Sequence, residues 1–307
     1  MLDRHRRDSD EVKHSGRPTV RTEEVVQRVK ESVEKSLHRS TRQRCQIVKL
    51  KRTTLRRVLH QDLNVFPYRL QVLHTLTQID KDKRVEMSEW LAKKIEDSPN
   101  WIRRVWFSDE AHFKLNGDVN SKNAVHWGSE KPDYVLQKPL HSLKCTAWVA
   151  ISHKGIIGPF WFQDDDGNSE TINTERYLEV LERFWEALNV TSKKLDWFQQ
   201  DGASCHASND SLKWIKERFK SRVISRRCDP FWAPHSPDLS PPDFFLWGYL
   251  KDRCYKNHPQ TIADLQTDVE NEIKAIPATM RAAVISNFCV RINLCLARNG
   301  GHLEHVL

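Results

Sequence analysis

Three aspartates of this chain sit in surroundings that ordinary packing does not require. Val105, Phe107, Asp109, Ala111, Phe113 and Leu115 alternate with Trp106, Ser108, Glu110, His112 and Lys114, the period-two pattern of a strand. That pattern turns Asp109 toward the apolar side, where a carboxylate needs a cation, a hydrogen-bond network or a metal. A break in the alternation would leave it in solvent instead. Asp201 closes the run Leu195-Asp196-Trp197-Phe198-Gln199-Gln200 and precedes Gly202. The C-terminal tip of a strand is where open α/β sheets place their sites, although Asp-Gly is also an ordinary turn. Asp243 reads as the third residue of a helix capped by Ser240 and opened by Pro241, a place where the helix dipole favours any acid. Singly, each has a purely structural explanation. As a set converging on one sheet edge, they supply the oxygen ligands that two Mg²⁺ or Mn²⁺ ions about 3.5–4 Å apart require. Glu110 falls on the opposite strand face and outside this set.

The elements that must position these acids read as an α/β domain over 101–307. Beyond the strand at 105–115, strands are expected near 124–127, 144–151 and 156–162. A helix over 174–188, a strand over 195–200, a helix over 210–219, a short strand over 222–225 and two or more C-terminal helices follow. Hairpin strands followed by strands alternating with helices predict a mixed sheet flanked by helices.

The remainder of the chain differs in charge. The 307 residues carry 49 Lys and Arg against 41 Asp and Glu, a net +8. The first 60 residues hold 17 and 8 of these, and the other 247 hold 32 and 33. The block 38–60 has eight basic residues and no acid, a composition that favours a polyanionic partner such as nucleic acid. Residues 1–22 read as a basic arm in which Gly16-Arg17-Pro18 could lie in a minor groove. Residues 23–60 read as three short helices, the last with Leu55, Val58 and Leu59 inward. Its outward residues, Arg52, Thr53, Arg56 and Arg57, fit a helix-turn-helix whose final helix enters the major groove. Arg42, Lys51 and Thr54 complete the candidate DNA-contacting set with Arg17. Lys49 stands at the turn where Gly would ease a left-handed conformation. Residues 61–100, with an amphipathic helix near 81–95, read as a connector.

Other features are less productive. No run approaches the roughly 18 apolar residues of a membrane span, and the charged start is unlike a secretory signal. Seven scattered cysteines without a Cys-x-x-Cys pair indicate reduced thiols in an intracellular protein. Asp164-x-Asp166-x-Asn168 with Glu175 imitates a calcium loop but has Ser169 where Gly is needed. Cys205, His206, Cys228 and His235 match no ordinary zinc spacing. Trp197, Trp232 and Trp247 read as core rather than as base-stacking platforms.

Three blocks taken in order resemble the catalytic blocks of mariner-superfamily transposases. They are Phe107-Ser108-Asp109-Glu110-Ala111-His112-Phe113, Phe198-Gln199-Gln200-Asp201-Gly202-Ala203 with His206, and Ser236-Pro237-Asp238-Leu239-Ser240-Pro241-Pro242-Asp243-Phe244. Tyr177, Gly158-Pro159-Phe160 and Asn299-Gly300-Gly301-His302 also match insect-type members. The resemblance implies a ribonuclease H-like catalytic domain with the acidic triad Asp109, Asp201 and Asp243, closed by Asp rather than Glu. It further implies two Mg²⁺ or Mn²⁺ ions, cut-and-paste transfer of DNA from terminal inverted repeats into TA sites, a homodimer and work in the nucleus. Such proteins join two helix-turn-helix units through a Gly-Arg-Pro linker, so a copy shortened at its amino terminus is expected here. Arg44 and Lys49 depart from the family's usual apolar residue and Gly. Two rivals are a catalytically silent DNA-binding relic and a ribonuclease H-type nuclease acting on other nucleic acids.

Overall fold

A computed structural model describes residues 20–37, 39–67, 75–115 and 143–303, which form two compact units, 1–72 and 73–307. Arg17, most of the arm and the strand expected near 124–127 lie outside the described residues.

The first unit is three helices: α1 (Glu23–Glu34), α2 (Thr41–Val48) and α3 (Arg52–Arg57), the last continued by a π-helical turn, Val58–Asp62. Thr22 and Ser40 cap α1 and α2 by accepting from the backbone N–H groups of Val25 and Gln43. Val29, Val48, Leu55, Val58 and Leu59 form its core, as the sequence pattern requires. Lys49 is left-handed at φ 49°, the conformation its position demanded. Arg44 is buried, and its guanidinium donates to the carbonyls of Ser32 and Ser36 and to Ser32 Oγ. A polar residue is tolerated in this apolar position because it caps the end of α1, whose last carbonyls lack intrahelical partners.

In the second unit, α4 (Gln78–Asp97) precedes β1 (Val105–Lys114), β2 (Lys144–Ile151) and β3 (Ile156–Trp161). Next come α5 (Thr174–Ala187), α6 (Val190–Leu195), β4 (Trp197–Gln199), α7 (Asn209–Phe219) and β5 (Val223–Ile224). A π-helical turn, Pro242–Leu246, leads into α8 (Trp247–Cys254), followed by α9 (Ile262–Ala275) and α10 (Ala278–Ala297). The sheet order is β3-β2-β1-β4-β5, with β1, β2 and β3 antiparallel and β1, β4 and β5 parallel, the mixed sheet expected.

Alternation along β1 sorts the layers. Val105 and Phe107 pack with Met87 and Leu91 of α4 and Phe288 and Ile292 of α10. Further along the same face, Ala111 and Phe113 meet the π-helical turn, α8 and α9 through Leu246, Leu250, Leu265 and Val269. Trp106 faces the opposite layer with Tyr177, Phe184 and Phe219 of α5 and α7. Helix α10 is long and apolar enough to cross a membrane, yet it is a core helix whose buried face lies against α4.

Two expectations are redrawn. The helix placed in a connector over 61–100 belongs to the second unit, because Met87 and Leu91 help fill the core beneath β1. The strand expected over 195–200 begins only at Trp197, because Asn189 caps α6 and Asp196 is fully buried against Lys154 Nζ (2.6 Å) and Trp106 Nε1 (2.9 Å).

Candidate active site

Asp109, Asp201 and Asp243 line one cavity of about 510 Å³ at the sheet edge, together with Ser108, Glu110, Gln199 and Arg226. β1 delivers Asp109 from mid-strand, opposite Val149 of β2, on the same face as Phe107 and Ala111. The sequence alternation therefore holds at this residue, and its half-buried carboxylate accepts from Trp247 Nε1 at 2.6 Å. Trp247 is core by burial, but its indole N–H also fixes an acid. Burial, then the charges of Asp243 and Glu110, push the Asp109 carboxyl well above the usual carboxylate range.

Asp201 follows the end of β4. Its Oδ1 accepts from Ala203 N at 2.9 Å and from His206 Nδ1 at 2.5 Å. Burial pulls its pKa upward, but the hydrogen bond and charge of His206 outweigh that and leave it below the ordinary value. The space beside Gly202 is taken by Arg226, whose Cδ lies 2.9 Å from where a Cβ would stand. Asp243 stands in the first turn leading to α8, after Pro241 at φ −53°, the helical start its sequence implied. It is exposed at the cavity mouth, and partial desolvation there, eased by a hydrogen bond from Ser240, still raises its carboxyl to about 6.

Two participants were hidden from the sequence pattern. β4 pairs with β1 only as far as Phe107↔Gln199, so the edge of β1 beyond that point is open to the Asp201 segment. Glu110, on the opposite strand face from Asp109, occupies that edge and lines the same cavity. Its Oε1 lies 3.0 Å from Nε2 of His206, so one imidazole joins Glu110 to Asp201. Beneath it, the Tyr177 ring lies 4.2 Å from the His206 ring and donates through Oη to Gln200 Oε1 at 2.6 Å. Gln200 Nε2 in turn donates to His206 O and Ser225 Oγ. Burial opposes a charged imidazole, but Glu110, Tyr177 and Asp201 together raise His206 well above its usual value. In sequence Glu110 and His206 stand within two of the resembling blocks, beside Asp109 and five residues after Asp201, but no local pattern joins them.

The donor set fits divalent cations. Hard carboxylate oxygens converge on one cavity, and two of the acids are held against their own ionisation by burial and the charges of neighbouring acids, which a cation would relieve. Among the described residues no three acids, imidazoles or thiols already surround a single point, since Asp109 is turned to Trp247 and Asp201 to His206. Asp164 accepts from Asp166 N and Asn168 N, closing its own turn rather than a calcium loop. His206 is committed to two carboxylates, so the Cys205, His206, Cys228 and His235 grouping does not assemble.

In the first unit, Arg42, Lys51, Arg52, Thr53, Arg56 and Arg57 are exposed on α2, α3 and the turn between them, and Thr54 is half-buried.

Comparison with known proteins decides what this arrangement is related to. The chain is 26% identical over 273 residues to the Tc3 transposase of Caenorhabditis elegans, covering 87% of this chain and 76% of that one. It also superposes on the Mos1 transposase, solved as a paired-end complex with the left transposon end, at a TM-score of 0.71 and 16% identity. That match covers 94% of this chain and 82% of the other. The chain is similar in sequence to Tc3 transposase and shares the fold of Mos1 transposase. No family model matches it. Human histone-lysine N-methyltransferase SETMAR is 20% identical over 302 residues, covering 96% of this chain, which spans only 42% of that protein. The Mos1 catalytic domain alone superposes at a TM-score of 0.58 and 18% identity, covering 76% of this chain and 99% of that domain, and establishes the ribonuclease H-like fold. Mos1 paired-end complexes have been solved with Mn and with Mg.

Proposed function

We propose that this chain is a divalent-metal-dependent DNA transposase of the mariner superfamily that cuts phosphodiesters at transposon ends and joins the freed ends to target DNA. The observation that carries this reading is the convergence of Asp109, Asp201 and Asp243, which are far apart in sequence, on one cavity of a ribonuclease H-like sheet. Asp109, Asp201 and Asp243 would hold two Mg²⁺ or Mn²⁺ ions. Such ions, when bound, polarise a phosphodiester and activate the attacking water or 3′-hydroxyl.

The chain's own residues set the geometry around them. Trp247 holds one Asp109 oxygen, leaving the other for the cavity, and His206 does the same for Asp201. Glu110 orients the imidazole through its second nitrogen. α3 would enter the major groove with Arg52, Thr53, Arg56 and Arg57, while Arg42, Lys51 and Thr54 contact the flanking backbone. Terminal inverted repeats as substrate, a TA target, a homodimer that pairs two ends, and a nuclear location belong to the same reading. Light scattering of the DNA complex tests the dimer, and imaging of a tagged chain tests the location.

The deciding experiment is cleavage of labelled terminal-repeat DNA with Mg²⁺ or Mn²⁺. The chain should nick the DNA at the repeat boundary, and Asp201→Ala should reduce nicking at least 10³-fold, on the order of losing one member of a catalytic set. Equal nicking by both proteins would remove Asp201 from the site. Binding without cleavage under either metal would leave a silent DNA-binding relic, and cleavage indifferent to the repeats would make it a general nuclease.

A further inference from the structure

Arg226 lines the candidate active site and takes no part in the chemistry above. Its place follows from the sheet. β4 and β5 run parallel with Gln199 opposite Ile224, and Gln200 N donates to Ile224 O at 3.1 Å. Asp201 and Gly202 therefore leave one strand end beside the point where Ser225 and Arg226 leave the next, the edge at which open α/β sheets gather their sites. Ser225 is buried and its Oγ accepts from Gln200 Nε2 at 2.9 Å, which fixes the chain just before Arg226.

The Arg226 stem lies on Gly202. A Cβ at 202 would stand 2.9 Å from Arg226 Cδ, 3.4 Å from its Cβ and 3.5 Å from its Cγ. Gly202 is not left-handed, so this contact, rather than backbone conformation, is what calls for glycine there. Arg226 Nη1 donates to Gly202 O at 3.3 Å, and the residue is otherwise exposed. Among the described residues Arg226 forms no ion pair, although Asp109, Glu110, Asp201 and Asp243 line the same cavity; Glu110 and Asp201 are engaged by His206 instead. Arg227 is turned elsewhere, donating to Ala207 O at 3.1 Å.

We propose that Arg226 grips a DNA phosphate next to the phosphodiester received by the Asp109–Asp201–Asp243 cavity, and that Gly202 is glycine in order to seat it. A strand entering a cavity lined by four carboxylates meets their repulsion, and a fixed cation at that cavity offsets it. The planar guanidinium matches two phosphate oxygens, and a stem already seated has less freedom to lose on binding. The contact rests on the proposed transposase reading and lies outside both the acidic set and the helix-turn-helix.

The test uses the full chain with Mn²⁺ and labelled terminal-repeat duplexes, each carrying one neutral methylphosphonate in place of a phosphate around the cleaved bond. On unmodified DNA, Arg226→Met, which keeps a stem and loses the charge, should cut about tenfold more slowly, the order of one charge-assisted hydrogen bond. Wild type should lose about as much at one methylphosphonate position, where Arg226→Met loses nothing further, and the two proteins should respond alike at every other position. Arg226→Lys should recover part of the rate. Gly202→Ala should slow the wild-type chain by displacing the stem and add little to Arg226→Ala, which has no stem to displace. Arg227→Met makes the same change in charge one residue away and should keep the wild-type pattern. Arg226→Met should also melt as wild type does, since the side chain is exposed. An Arg226→Met protein that loses as much as wild type at every position would overturn the phosphate contact and leave the transposase reading in place; a lowered melting temperature with that result would make Arg226 a structural tie to Gly202. Wild-type chain that binds the repeats without cutting them would remove the transposase reading, and the same series read from affinity would then decide the contact by the same criterion. A chain that binds no DNA would overturn both.

Discussion

The acids at the cavity carry a cost that the folded chain bears whenever no cation sits among them. Asp243 has its carboxyl raised to about 6, against about 3.9 for an unfolded aspartate. Between those values the folded state binds the extra proton. Stability from this group therefore declines as pH rises from about 4 to about 6 and stays lower above that. Asp243→Asn removes the cost of desolvating this charge, and its repulsion with neighbouring acids, without changing shape. In metal-free buffer at pH 7.5 it should raise stability by about 1 kcal/mol, the full shift being discounted because the residue is open to solvent. That corresponds to about 2–4 °C for a unit of this size, and the gain should vanish at pH 4. Thermal melts of both proteins at the two pH values check it, and a variant melting lower at pH 7.5 would show that Asp243 is held by favourable contacts. The same substitution should abolish cleavage, because a stabilised apo site is one that no longer attracts a cation.

Among the elements, the loop that carries Asp243 is held by a residue far away in sequence. Arg84 of α4 is fully buried and bidentate to Asp238, at 2.7 and 2.6 Å, and also donates to Gly300 O at 2.8 Å. Gly300 has φ +74°, and a Cβ there would meet Lys81 O at 2.2 Å, so the C-terminal Asn299-Gly300-Gly301 turn can approach α4 only with glycine. Two motifs noted separately in the sequence thus meet on one guanidinium. Arg84→Met leaves the Asp238 carboxylate buried and uncompensated, which should cost about 3–5 kcal/mol, or roughly 10 °C in the melting temperature. Arg84→Met with Asp238→Leu should recover most of that loss, and a double variant as unstable as the single would show that the pair is not the source of the cost. What the sequence disclosed follows the range of the interactions. Strand alternation and helix caps are local, so β1, α1, α5, α7 and the orientation of Asp109 were legible. The Arg84 anchor spans 154 residues and the Glu110–His206 contact spans 96, and no local pattern reports either. The start of β4 was placed too early for the same reason, because Asp196 is fixed by Lys154 and Trp106, one 42 and the other 90 residues away.

For the whole molecule, the net charge is a sum of two unlike parts. Residues 1–72 hold 18 Lys and Arg against 9 Asp and Glu, whereas 73–307 hold 31 against 32. An almost neutral catalytic unit gains little from long-range attraction to DNA, so capture must come chiefly from the first unit. α3 concentrates this in one six-residue helix, where Arg52, Arg56 and Arg57 are all exposed. Replacing the three with Gln should leave the core of Leu55, Val58 and Leu59 untouched and the melting temperature nearly unchanged. Binding of the full chain to duplex DNA should then weaken by two or more orders of magnitude near 0.15 M salt, with the salt slope falling by about 2 to 3. If α3 reads bases, the preference for terminal repeats over random duplex should shrink as well, because phosphate contacts alone carry no sequence information. Salt titrations on both duplexes separate these effects. A slope that falls while the preference survives would move base reading off these three arginines, and an unchanged slope would show that the charge of the first unit serves something other than DNA.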